Sequence, residues 1–358
     1  MNLVICSMGY TGYMAACWRR LSQTQGLNLK VYTPETHYLF ATDILDKLPV
    51  TVFSDAEFTR REFAEKFVAS VLDDHPDAIV ISGWSVRPFR FLAYDRRLAK
   101  VRKLLIIDTM WEWSWRCFLS RWRLRSFIRH FDGVIVAGER GRMFARYIGF
   151  QPKQIFISTY GYDAKAFELC YEQRIACADG WPHRFGFVGR FAQVKGLDVL
   201  LEAYHRYRQW AMTEKKSEPW QLHCFGTGSL ARKMDNVEGV VNRGFLQPRD
   251  LPRALVEAGV LVLPSRRDPW GVALAEGAGA GLPVITSEEV SSSIDLVRHL
   301  YNGYVVPAGD VERLYQALCW MHSNEERLPE MGRRSLIYAG AYSPKVWAER
   351  FLDAVRAK

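Results

Sequence analysis

The chain predicts an α/β protein of two doubly wound domains, and three observations lead there. Short runs rich in Val and Ile alternate with helical stretches along all 358 residues. The runs are uniformly apolar over four or five positions, which suits strands buried on both faces, as in a parallel sheet. The length allows two separate cores, and an apolar content of 49% with 24% charged residues is that of a globular protein.

In the first half, strands are expected at 3–6, 29–33, 50–53, 78–82, 104–108, 133–137 and 155–158. In the second half they fall at 185–188, 222–225, 240–242, 260–263, 284–286 and 304–306. This alternation gives a first Rossmann-like domain over 1–165 and a second over 184–341. Residues 166–183 break the rhythm and are read as a hinge.

Composition narrows the function classes. Seven scattered cysteines without a Cys-x-x-Cys pair argue against a disulfide framework or structural zinc and favour a reducing, cytoplasmic setting. The N-terminus lacks the basic and apolar regions of a secretory signal, and no apolar stretch is long enough to span a bilayer. The net charge of +9 is unevenly placed: residues 87–146 hold fifteen Lys/Arg against five Asp/Glu, a net +10, leaving −1 for the remainder. Such a field attracts phosphate groups. Within it, Trp111, Trp115, Phe118, Leu119 and Trp122 form one helical stripe, and Leu124, Phe127, Ile128 and Phe131 a second, rotated by about half a turn. Five arginines (116, 121, 123, 125 and 129) are interleaved. Two readings stand: a helix packed on both sides, or an Arg/Trp surface lying on anionic lipid at the inner face of the cytoplasmic membrane. No nucleic-acid-binding motif accompanies it, so nucleic acid is not expected as a partner.

The most informative run is Asp268-Pro-Trp-Gly-Val-Ala-Leu-Ala-Glu276, followed by Gly277-Ala-Gly-Ala-Gly-Leu-Pro283. It reads as a loop after a strand, a helix of small residues, and the next strand. Ligands of such units sit at the carboxyl ends of the strands, and a helix N-terminus near Gly271 offers free N–H groups to an anion. Upstream lie Phe187-Val-Gly189-Arg190-Phe-Ala-Gln-Val-Lys195-Gly196, Cys224-Phe-Gly226-Thr-Gly228 and Gly244-Phe-Leu246; downstream is Asn302-Gly303. In this order the motifs resemble the retaining nucleotide-sugar glycosyltransferases of the GT-B fold, glycosyltransferase family four. The specific motifs cover about 185–307; elsewhere only the layout agrees.

The resemblance implies two facing Rossmann-like domains with an inter-domain cleft, a last helix within 342–358 that packs back on the first domain, and transfer of a hexose from a UDP- or GDP-sugar to a glycan or lipid-linked acceptor in envelope polysaccharide or glycolipid synthesis. Arg190 and Lys195 would neutralise the leaving diphosphate, the pre-placed electrostatic help that such a transition state needs. Their bland reading is solvated loop charges. Glu276 would accept hydrogen bonds from the ribose; otherwise it pairs on a helix surface. Asp268, where the family more often has Glu, would contact the sugar; otherwise it caps the helix. Backbone around Gly189, Gly226, Gly244, Leu246, Gly271 and Val272 would complete the donor cradle. No Asp-x-Asp pair suggests a metal, so no cofactor is expected. The N-terminal loop carries separated glycines, Gly9 and Gly12, where relatives often have an adjacent pair. No His follows the strand before Asp108, where many relatives place one near the sugar. Trp84, Asp108 and Glu112 are the candidates left to line the acceptor side, and Asp108 serves equally well as a helix cap. In the front-face mechanism proposed for the family the leaving phosphate takes the acceptor proton, so a protein base is dispensable. Two alternatives stay open: a nucleotide-sugar hydrolase or epimerase on the same fold, and a non-catalytic partner with a decayed donor site.

Overall fold

The computed structural model describes residues 1–35, 41–58, 60–158 and 160–357. These form two compact units, Met1–Gly161 with Pro344–Lys358, and Tyr162–Ser343. The first unit holds β1 Asn2–Cys6, β2 Asn28–Pro34, β3 Val50–Phe53, β4 Ala78–Ser82, β5 Arg102–Ile107, β6 Gly133–Val136 and β7 Ile155–Ile157. They make a parallel sheet in the order β3-β2-β1-β4-β5-β6-β7. The second unit holds β8 Arg184–Val188, β9 Gln221–Phe225, β10 Val240–Gly244, β11 Val260–Leu263, β12 Val284–Ser287 and β13 Gly303–Val306. Its sheet is also parallel, in the order β10-β9-β8-β11-β12-β13.

The strand alternation explains why both faces of each sheet are covered. Val4 and Cys6 face one core cluster, while Leu3 and Ile5 face another. In the second unit Val260 and Val262 enter one core and Leu261 and Leu263 the opposite one. Successive side chains of a strand point to opposite faces, so an uninterrupted apolar run is what a doubly covered sheet requires. Helix Pro344–Arg356 buries Trp347, Phe351 and Val355 beside Leu3, Ile5 and Ile135 of the first sheet.

Boundaries differ from the sequence reading in one informative respect. The units divide after Gly161 and after Ser343 rather than at 165 and 341. The supposed hinge lies inside the second unit, with short helices Ala164–Phe167 and Cys170–Ile175. Arg174 is the cause: its guanidinium is buried and donates to the carbonyl oxygens of Leu255, Ala258, Ala280 and Gly281. Those carbonyls end the helices Leu251–Val256 and Val272–Gly279, where a cation meets the negative end of the dipole. Burial lowers the Arg174 pKa to about 10, and it still stays charged near neutrality.

Candidate active site

In each sheet the chain turns back on itself beside one strand, β1 in the first and β8 in the second. The loops leaving β8 and β11 therefore diverge from adjacent strands and open a crevice at their carboxyl ends. The motifs read from the sequence lie on these loops.

After β8 the chain runs through Gly189 and Arg190 to a 3-10 turn, Gln193–Lys195, and reverses at Gly196 with φ +71°. A side chain at Gly196 would overlap the carbonyl oxygen of Pro264, so the β8 and β11 loops touch backbone to backbone here. The β9 loop is tied in the same way. Gly189 N donates to Phe225 O at 3.0 Å, Phe191 N to Thr227 O at 2.7 Å, and Gly226 N to Gly244 O at 2.8 Å. A side chain at Gly226 would overlap the Gly189 carbonyl oxygen. The three glycines thus hold three strand ends at contact distance. Leu246 packs against the core that contains Leu251 and Leu263.

Two of the expected residues meet. Lys195 Nζ lies 2.5 Å from Asp268 Oδ2, with Asp268 almost completely buried and Lys195 largely so. Asp268 is fixed by its backbone: its N–H donates to Glu289 O, its carbonyl accepts from Ser291 N, and it bridges to Val290. The Lys195 turn is fixed by Arg266, which donates to Gln193 O at 2.7 Å and grips Asp198 with two bonds of 2.6 and 2.9 Å. That fork holds the Asp198 carboxyl below its usual pKa. Sequence reading missed Arg266 and Asp198, although both flank named motifs. Arg190, by contrast, is exposed and its side chain has no partner among the described residues.

Asp268 does not cap the following helix. Gly271, at φ +83°, is the N-cap of Val272–Gly279, and no side chain caps that end. Its first N–H groups, those of Val272 and Ala273, are left for a ligand or water, while Leu274 N donates to Gly271 O at 2.9 Å. Glu276 sits on this helix, about 7 Å further along its axis at 1.5 Å per residue. Gly277 lies against Leu261 and Gly279 against the ring of Tyr162, which lets the helix press onto the sheet. Glu276 is partly buried. Desolvation first, and then the negative charge of Asp163, push its pKa up to about 7. The carboxyl keeps some contact with solvent, which tempers that shift. Around the same turn the hydroxyls of Ser265, Ser291 and Ser292 are buried without a hydrogen-bond partner among the described residues. No spacing rule points to such serines, and the sequence reading missed them.

In the first unit a cavity of about 200 Å³ opens at the carboxyl ends of β1, β4 and β5. Gly9 and Asp108 line it, and Tyr160 Oη donates to Asp108 at 3.3 Å. Gly12 is not in the lining; it opens helix Gly12–Ser22, capped by Thr11. Trp84 and Glu112, expected on the acceptor side, do not line the cavity either. Trp84 packs on the core, 6.2 Å from Phe144, and Glu112 accepts from Ser114 Oγ. Both follow the right strands, but their side chains turn elsewhere. Asp108 caps nothing, since Ser114 caps helix Trp115–Ile128. The cavity walls are instead aromatic: Tyr10, Tyr13, Trp18 and Trp347. Trp347 comes from the last helix, too far along the chain for any local signal.

Among the described residues no group of three His, Cys, Asp or Glu is placed to hold a metal ion, and no helix is long and apolar enough to cross a membrane.

Residues 182–324 match the family Glycosyl transferases group 1. The chain is 27% identical over 186 residues to D-rhamnosyltransferase WbpZ of Pseudomonas aeruginosa, covering 50% of this chain and 47% of that protein. It is also 27% identical over 191 residues to the amylovoran biosynthesis glycosyltransferase AmsK of Erwinia amylovora, covering 50% and 44%. These matches span less than half the length of either relative. In fold it resembles Anabaena Alr3699/HepE, solved with UDP and glucose, over the whole of both chains (TM-score 0.73, 13% identity). Sucrose-phosphate synthase from Thermosynechococcus elongatus is similar over 99% of this chain and 98% of its own (TM-score 0.72, 17% identity). The chain thus has the GT-B fold, and within its second unit residues 182–324 are similar to the Glycosyl transferases group 1 family.

Proposed function

We propose that the protein is a glycosyltransferase that moves a hexose from a UDP- or GDP-sugar to a glycan or lipid-linked acceptor, with retention and without a metal. The observation that carries this reading is the buried Lys195–Asp268 pair beside the uncapped helix start at Gly271, at the β8/β11 switch point. A diphosphate fits there: Lys195 and Arg190 supply positive charge, and the N–H groups of the Val272–Gly279 helix supply donors. Asp268, already held near Lys195, accepts from a sugar hydroxyl. Glu276, in its charged form, accepts from the ribose. Relatives named as a rhamnosyltransferase and an amylovoran glycosyltransferase support an envelope glycan as the acceptor class.

The acceptor is assigned to the aromatic cavity of the first unit, where sugar or lipid rings find stacking surface and Asp108 and Tyr160 supply polar contacts. As the bond from the anomeric carbon to the diphosphate oxygen breaks, the acceptor oxygen bonds to the same face of that carbon. Its proton passes to the departing phosphate oxygen, and the charge left on the diphosphate is met by Lys195 and Arg190.

Thermal stabilisation by UDP, GDP, ADP and their sugar conjugates, in EDTA, tests the donor site. Stabilisation by one nucleotide family, together with acceptor-dependent release of that nucleotide and an α product from an α donor, supports the reading. No stabilisation by any of them would overturn it. Turnover without acceptor would move it to a hydrolase.

A further inference from the structure

Helix Trp115–Ile128 resolves the two readings of its sequence, because each stripe has its own fate. Leu124, Phe127 and Ile128 are buried in the first unit's core. Of the other stripe, Trp111 is half-buried against the core, but Trp115 is 64% exposed and Trp122 76%, with Phe118 and Leu119 also exposed; Trp113, just before the helix, adds a further indole at 85%. A water-facing surface rarely shows so much contiguous aromatic area unless something covers it. The basic residues complete the face. Arg121, Arg125 and Arg129 recur every fourth residue and line a cavity of about 540 Å³ together with Trp122 and Tyr147, and no acidic residue lines it. None of Arg116, Arg121, Arg123, Arg125 and Arg129 has an ion-pair partner among the described residues.

We propose that this face seats the first unit on an anionic bilayer, with the Arg121–Arg125–Arg129 cup taking lipid phosphate groups and Trp113, Trp115 and Trp122 entering the interface. Indole rings favour the headgroup boundary, where an apolar body and a polar tip are both satisfied. Guanidinium groups match phosphate in a bidentate way. Charge complementarity selects the occupant: an unpaired row of arginines beside tryptophan suits a surface presenting phosphate at the level where the rings insert. An acidic protein partner would satisfy the charge but gives no reason for three protruding indoles.

Co-sedimentation with phosphatidylcholine vesicles, pure or containing about 30 mol % phosphatidylglycerol, tests this. The wild type should pellet with the anionic vesicles only, and lose most of that binding between about 0.1 and 0.5 M salt. The triple variant Arg121→Gln/Arg125→Gln/Arg129→Gln should bind roughly 100-fold more weakly, at about five-fold per arginine. Trp113→Ala/Trp115→Ala/Trp122→Ala should lose binding that salt does not remove. These side chains are exposed, so both variants should keep the wild-type melting temperature and nucleotide response, which separates this outcome from any failure of the donor site. Equal pelleting with both vesicles, wild-type pelleting by either variant, or tighter binding of single-stranded oligonucleotide than of anionic vesicles would overturn the proposal.

Discussion

Replacing Lys195 by Ala removes one of two cations assigned to the donor diphosphate and leaves Asp268 buried without its counter-charge. The two effects are separable. A charge-assisted hydrogen bond to a ligand contributes about 1.5–3 kcal/mol, so the variant should bind nucleotide about 10- to 200-fold more weakly. With nucleotide at one hundred times the wild-type Kd, linkage stabilises the wild type by about 2.7 kcal/mol. At the same concentration the variant retains only about 0.2–1.4 kcal/mol by the same relation. For a domain of this size each kcal/mol moves Tm by about 2–4 °C, so a shift of roughly 5–10 °C should collapse to one of about 0.5–5 °C. The orphaned Asp268 should also lower the unliganded Tm, because breaking a buried pair costs more than the pair contributes. Asp268→Asn is the control. It frees the ammonium, so the response to UDP or GDP alone should be kept, while the extra stabilisation given by the attached sugar should be lost. Differential scanning fluorimetry in EDTA reads both. If Lys195→Ala responds to the nucleotide as the wild type does, Lys195 is only a structural partner of Asp268 and the assignment fails.

Three further outcomes follow from the same geometry. Burial pushes the Glu276 pKa up to about 7, and hydrogen bonds from the ribose of the proposed donor would favour its charged form, so nucleotide affinity measured by calorimetry should rise from pH 5.5 and level off above about 7. Glu276→Gln should flatten that profile. The sign for stability is opposite: a carboxyl whose folded pKa is raised contributes below its unfolded pKa and loses that contribution as pH rises through about 7. The Gln variant should therefore stabilise the unliganded protein at pH 8 by about 1–2 kcal/mol, a value discounted for the solvent contact of the carboxyl and read by denaturant melts. Gly226→Ala drives a methyl into the Gly189 carbonyl, so it should abolish nucleotide stabilisation and lower Tm by several degrees; a normal response would refute the contact. Arg174→Met strips the hydrogen bonds from four buried carbonyls and should cost about 3–5 kcal/mol in chemical denaturation without altering Kd in the folded fraction.

Legibility in the sequence followed the range of the interactions involved. All thirteen strands among the described residues lie where apolar runs placed them, because a strand covered on both faces writes its burial into consecutive positions. The β5 example shows the limit: it begins at Arg102, two residues before the apolar run, since ladder pairing with β4 extends over a half-buried Arg102 and a buried Lys103. Loop motifs at strand ends were legible for a similar reason, as glycines at Gly196 and Gly226 mark backbone contacts that no side chain survives. Side-chain direction beyond a strand end was not. Trp84 and Asp108 both follow strands of the first sheet, yet one turns into the core and the other into the cavity. Long-range partners were invisible altogether: Trp347 reaches the first-unit cavity from the far end of the chain, and Arg174 binds carbonyls more than eighty residues away.

The Lys195–Asp268 pair belongs to that last group, and it changes how the donor site must work. Read separately, the two residues are the proposed cation for phosphate and the proposed acceptor for a sugar hydroxyl. Together they neutralise each other while the crevice is empty, so neither is buried as a bare charge. On the proposed function an incoming diphosphate would compete with Asp268 for Lys195, and the sugar hydroxyl would then replace the hydrogen bond that Asp268 gives up. Nucleotide alone can supply only the first half of that exchange. The intact donor should therefore bind more tightly than its nucleotide by more than its sugar contacts would add in a site without the pair, and Asp268→Asn should erase that excess.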